Sequence, residues 1–145
     1  MAVSGGITPI YGPGSKVSFA AAAAIDAGTL VAVTAGMTVG EAAVGSKKVV
    51  GVALQSAGAA GDVIAVQCHG YIAKLTAEGA VTAGDQLAVA TGAGNEGHVS
   101  TLVIDTTATL NETTVEAAIN AALGMVGIAL EDIADEASGR CLVRV

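Results

Sequence analysis

Tryptophan is absent from this chain, and other aromatics are few: Phe19, Tyr11 and Tyr71 make up 2% of it. A core must therefore be built from Val, Ile, Leu and Ala, in a chain that is 52% apolar. Platforms of aromatic rings, the usual means of holding sugars, are disfavoured. Basic residues are also scarce, 6 against 13 acidic, for a net charge of −7. A nucleic-acid binder needs a basic stripe to neutralise phosphates, so nucleic acid is not an expected partner. An anionic membrane surface is disfavoured for the same reason. The longest apolar run, Phe19 to Ile25, is far short of the ~20 residues a membrane span requires. The opening Met-Ala-Val-Ser-Gly-Gly has neither a basic nor an apolar signal region, so synthesis and folding in a cytoplasm are expected. Two cysteines, Cys68 and Cys141, both in apolar contexts, read as reduced core thiols, with a disulfide as the alternative. The two prolines, Pro9 and Pro13, are confined to the first sixteen residues.

What the chain has instead is a phrase stated twice. Ala27-Gly-Thr-Leu-Val-Ala-Val33 returns as Ala83-Gly-Asp-Gln-Leu-Ala-Val89. Each is followed by a second apolar phrase, Val49 to Leu54 and then Met125 to Leu130. Each of those is followed by a Gly turn and a closing strand, Gly61 to Val66 and then Gly139 to Val145. Three matched elements in one order imply an internal duplication. The Ala run after Phe19 would suggest helix by propensity alone. Its counterpart, Leu75 to Val81, contains Gly79, so both read as strand plus irregular connection. Gly40 to Lys48 reads as a polar loop, and Val63 to Leu75 as one long β segment bent at Gly70.

The expected architecture is mainly β: a small barrel or sandwich of two pseudo-repeated halves forming a single domain, 1–145. Residues 17–75 form the first half and 76–145 the second. The second half carries about twenty extra residues before its Val-Gly-Ile-Ala-Leu strand. They hold one short helix, about 114–123. Thr113 and Glu116 form a capping box, Val115, Ala118, Ile119, Ala122 and Leu123 make an apolar stripe, and Gly124 provides a left-handed stop. The stripe should cover one face of the β body. The Thr-rich stretch before it, Val99 to Leu110, could add a strand or hairpin arm.

Residues 1–16 form an extended N-terminal arm, because proline blocks helix and cannot serve a central strand. Ile7, Ile10 and Tyr11 need an apolar surface, either on the arm's own domain or on a partner.

No constellation of reactive residues emerges. Cys68-His69 is not a metal spacing, and His69 reads as a strand histidine facing solvent or a subunit neighbour. Glu96 and His98 lie at a turn. Glu131, Asp132, Asp135 and Glu136 lack the pattern of a calcium loop and read as a solvated connection. The Gly-rich segments 58–61 and 92–94 are not phosphate loops. Asp62 and Asp85 read as turn caps. Ser15 and Ser46 each precede a lysine but have no partner that would make a nucleophile. The chain is expected to be no enzyme and to use no cofactor and no metal.

The ordered phrases, from Ala27-Gly-Thr-Leu-Val-Ala-Val33 through Gly70-Tyr-Ile-Ala-Lys-Leu75 to Cys141-Leu-Val-Arg-Val145, resemble the capsid decoration, or cement, proteins of tailed bacteriophages. The resemblance covers about residues 17 to 145 and is strongest to a family long known only as a domain of unknown function. It implies a β-tulip-like body that trimerises on the outside of an expanded icosahedral head. There it would hold neighbouring major capsid subunits together. The partners would be the major capsid protein and further copies of the chain, and the location the virion surface, after synthesis in the host cytoplasm. It also implies that the arm, through Ile7, Pro9, Ile10, Tyr11 and Pro13, adds to the capsid protein as a strand. The trimer interface is expected on exposed strand faces rich in Val and Ala. A surface- or glycan-binding β module of a phage tail or bacterial surface is the alternative.

Overall fold

The computed structural model describes residues 16–104, 109 and 111–144. Ten strands and one helix form a five-stranded closed barrel followed by a five-stranded sheet. The barrel consists of β1 (Lys16–Ala21), β2 (Leu30–Ala35), β3 (Thr38–Glu41), β4 (Val49–Ala53) and β5 (Val63–Gln67). The sheet consists of β6 (Tyr71–Thr76), β7 (Gln86–Val89), β8 (Val99–Thr101), β9 (Met125–Ala129) and β10 (Ser138–Val143), with α1 (Glu112–Leu123) between β8 and β9.

The mainly β architecture with one short helix matches expectation, and the pairing repeats as the sequence does. The barrel runs β1-β3-β2-β4-β5, closed by β5 on β1, and the sheet runs β6-β10-β9-β7-β8. With β6 placed on β1 and β10 on β5, every antiparallel neighbour in one half has its counterpart in the other. The parallel closure also recurs: β1 meets β3 at Ala21↔Val39, and Ala77 bridges to Val99 in the second half. The isolated bridges Ile25↔Ala57 and Val81↔Ile133 correspond as well. Gly28 and Gly84 share a positive φ, 87° and 94°, at the equivalent turn.

Strand crossings are matched down to the atoms that forbid a side chain. A Cβ on Gly51 would run into the Gln67 carbonyl, and one on Gly127 into the Leu142 carbonyl. These are the same place in the two halves, since Val52↔Gln67 corresponds to Ile128↔Leu142. One pair of core positions is exchanged in size. Ile64 pairs with Phe19 in the barrel, and Gly139 pairs with Leu75 at the equivalent point. Ala57 bridges Ile25, and Ile133 bridges Val81. The first half therefore places Ala57 with Ile64, and the second Ile133 with Gly139. The Ile133 side chain occupies the space a Gly139 Cβ would need.

Two apolar clusters result. One fills the barrel with Ile25, Val31, Val39, Ile64 and Val66. The other joins the inside of the sheet (Leu75, Leu87, Val99, Ile133, Cys141) to Leu30, Ala32, Ala42 and Val52 of the barrel. No polar or charged residue among those described is fully buried. The loops lock the halves together: the Leu30 amide donates to the Gly97 carbonyl, Gly97 to Ala42, and Gly45 to Ala90.

Several local expectations need correction. The sheets divide at Cys68–Gly70, not after residue 75, because β6 pairs with β10 along its whole length. His69 and Gly70 take positive φ (38° and 78°), and the 63–75 segment is broken there into two strands of different sheets instead of running through as one. Within the 40–48 loop, Gly40 and Glu41 belong to β3. The described part of the Thr-rich stretch contributes only the three-residue β8.

The helix begins earlier than Thr113. Asn111 is its cap: the Asn111 side chain accepts the Thr114 amide at 2.9 Å, and Thr114 Oγ1 accepts the Asn111 amide at 3.0 Å. Asn is at least as good a cap as Thr, and choosing it adds helical residues at no loss. Gly124 stops the helix at φ −87°, not left-handed, because the chain passes directly into β9 at Met125.

Candidate interaction surface

The apolar stripe of α1 does not cover the β body. Val115, Ile119 and Leu123 are 45%, 56% and 63% exposed, and no helix residue is buried. The half-buried positions are Thr114, Ala118 and Ala121, spaced four and three apart, so of the expected stripe only Ala118, at its edge, turns inward. The small residues face inward and the larger apolar face is left to solvent. Val103 (75%) and Ile104 (43%), on the segment leading to the helix, are also exposed. Lys47 Nζ holds the helix from the barrel side, donating to Asn120 Oδ1 at 2.5 Å.

Beneath α1 lies a cavity of about 390 Å³, walled by Ser46, Thr91, Ser100, Thr101 and Asn120 together with apolar Leu102 and Val103. A second concavity, of about 520 Å³, runs between the two halves. Lys16, Gly28, Leu54, Gln67, Ile72 and Lys74 border it.

The arm residues Ile7, Pro9, Ile10, Tyr11 and Pro13 lie outside the described residues. The chain enters the described structure at Lys16, on the rim of the second groove.

The acidic residues bind the protein's own backbone. Asp62 Oδ2 accepts the amides of Gly58 and Ala59 at 2.8 and 3.0 Å, and Asp85 accepts the Thr82 amide and the Thr101 hydroxyl. Glu78 clasps Thr91 and Gly92. The acidic connection before β10, expected to be merely solvated, does the same. Asp132 takes the Ala83 amide, Asp135 the Gly79 amide, and Glu131 the Arg140 amide at 2.8 Å. Glu131 also makes a bidentate contact with the Arg140 guanidinium, at 2.8 and 3.0 Å, which holds its carboxyl below the usual range. A carboxylate that accepts one or two loop amides satisfies donors that short turns leave unpaired.

The remaining titratable groups are dispersed. His69 lies between β5 and β6, not on a strand, and bonds the Arg144 carbonyl. His98 Nδ1 lies 4.0 Å from Glu136 Oε2. Cys68 and Cys141 are free thiols. Burial raises both, and Cys141 is pushed up to about 11. Among the described residues no three of His, Cys, Asp and Glu gather as a metal would require, and no helix is long and apolar enough to cross a membrane.

No protein-family model matches this chain, and no curated protein matches it. Geometry and chemistry therefore carry the functional reading.

Proposed function

We propose that this protein is a structural decoration protein of a tailed-phage head. It trimerises on the outside of the shell and ties neighbouring major capsid subunits together, and it performs no catalysis. The observation that carries this reading is the outward stripe of α1, Val115, Ile119 and Leu123. An apolar helix face left in solvent on a well-packed body calls for a protein partner. The ordered β phrases that resemble cement proteins supply the kind of partner, and the repeated strand pairing supports their being one scaffold used twice.

Val115, Ile119 and Leu123 are already about half covered, so burying what remains exposed would contribute about 1–1.5 kcal/mol each. Association costs at least ~4 kcal/mol in lost freedom, so the three alone give a weak contact. Val103 and Ile104 must join them for a stable trimer. In this reading the interface draws on the helix and the segment before it. Many copies on one shell then turn modest single contacts into large collective stability.

Sedimentation at micromolar protomer tests the first half of this reading. The native chain should run as a trimer. The Ile119→Asp/Leu123→Asp double variant should run as a folded monomer, since neither side chain supports the core. A native chain that is monomeric at these concentrations sinks the trimer.

One observation favours the glycan-binding alternative: the hydroxyl- and amide-walled cavity under α1. Its described walls include no aromatic ring on which a sugar could stack, so the shell reading is preferred. Specific binding on a glycan array would reverse that order.

A further inference from the structure

A ring of identical copies closes either through two different patches on each copy or through one patch that meets itself on the axis. The outward face of α1 is unsuited to the second arrangement. Glu112, Glu116, Ile119 and Leu123, spaced four, three and four apart, share that face with Val115, and all are exposed. α1 contains no basic residue. Self-packing on an axis would gather the Glu112 and Glu116 carboxylates of every copy with no cation among them. Like charges brought together at an interface are costly.

This face therefore needs a patch that is both apolar and basic. Lys47 donates to Asn120 of its own α1, and Arg140 is held by Glu131. Lys16 and Lys74 are exposed and make no ion pair with a described residue. Both line one feature, the groove between the halves. Leu54 and Ile72, 40% and 61% exposed, line it with them, and its described lining includes no carboxylate. Glu131 feels the charge of Lys74 but is already clasped by Arg140. Barrel and sheet come together in this groove, where a Cβ on Gly28 would lie 4.0 Å from the Lys74 carbonyl. What the groove offers an occupant is side chains, two aliphatic and two cationic.

We propose that the outward face of α1 in one copy docks in the groove between the halves of the next copy. This rests on the trimer reading and names the two surfaces that make the trimer. The helix Ile and Leu cover Leu54 and Ile72, and the two helix carboxylates meet Lys16 and Lys74. A contact between unlike patches runs head to tail, and repeated around an axis it closes a ring. Apolar burial supplies the hold, and the opposite charges select groove over helix as the partner of each helix. The groove exists because the fold is duplicated, and the helix that fills it is the insertion carried by one half only.

Sedimentation at micromolar protomer, on the native chain and on charge-reversed variants, tests the docking. Lys16→Glu/Lys74→Glu, and separately Glu112→Lys/Glu116→Lys, should each weaken trimer formation roughly tenfold or more. The chain carrying all four substitutions should return to within about threefold of the native chain, because both patches are reversed together. A misfolded variant would not be rescued by two further substitutions. Ile72→Asp, which leaves α1 untouched, should also weaken the trimer. A native trimer that Lys16→Glu/Lys74→Glu leaves unchanged overturns the docking and leaves the trimer standing. So does a four-substitution chain that associates no better than the weaker pair. A native chain that is monomeric overturns the trimer reading itself, and the docking with it.

Discussion

The size exchange between the two halves provides a sharp test of the duplication. In the barrel the small residue is Ala57 and the large one Ile64, whereas in the sheet the equivalent positions are Ile133 and Gly139. Ile133→Ala deletes three buried carbons from a side chain that is 3% exposed. The space opens onto a glycine that cannot fill it, so the loss should be about 3 kcal/mol. Gly139→Ile in the native background drives a new side chain into that of Ile133, an overpacking cost of ~2–3 kcal/mol. Additive effects would total ~5–6 kcal/mol, a large part of the stability of an ordinary domain. The double variant, however, recreates the arrangement of Ala57 with Ile64. It should lose only ~2–3 kcal/mol, a favourable coupling of about 3 kcal/mol. Urea unfolding of the four proteins, at one protomer concentration so that self-association stays fixed, measures the cycle. A double variant whose loss equals the sum of the single losses would refute the matching of the two halves at these positions.

Four further outcomes follow from the geometry. Gly127→Ala should destabilise the fold by more than ~2 kcal/mol in thermal or urea unfolding, because the new methyl meets the Leu142 carbonyl and backbone must move. Gly36→Ala, where nothing lies within 4 Å, should be close to neutral in the same assay. The Glu131 carboxyl is held low by Arg140, so its contribution is present above the ordinary carboxylate range and fades as pH falls through the lowered value. Glu131→Gln should therefore show a shallower fall in melting temperature between about pH 5 and pH 2 than the native chain, and parallel curves would contradict that. With Cys141 pushed up to about 11, it stays protonated at pH 8. A thiol reagent should label half-buried Cys68 first, and slowly, and reach Cys141 only on unfolding.

Much of this fold could be read before any coordinate was known, because the duplication is written in residues with strong local meaning. The Ala-Gly turn before β2 and again before β7, and the Val-Gly-Val/Ile-Ala phrase of β4 and β9, each carry a glycine with a specific physical duty. Gly28 and Gly84 take a left-handed turn, and Gly51 and Gly127 leave room for a crossing carbonyl. Periodicity correctly grouped Val115, Ile119 and Leu123 on one helix face, but it says nothing about the direction that face points. A helix packs by its larger apolar side or by its smaller one according to what the rest of the molecule leaves open, and here the Ala118 and Ala121 side won. The start of α1 was misplaced because two overlapping capping patterns, Asn111 with Thr114 and Thr113 with Glu116, compete within six residues. The acidic clasps were only partly legible. Asp62 and Asp85 act within their own turns, whereas Asp132 and Asp135 reach amides 49 and 56 residues away.

Co-sedimentation of the purified protein with expanded phage heads stripped of their decoration tests the proposed function most directly. The account predicts saturable binding at micromolar protein, in multiples of three copies per site, that raises the temperature at which the heads release their DNA. A protein that remains in the supernatant at every concentration, or binds without changing head stability, would contradict it.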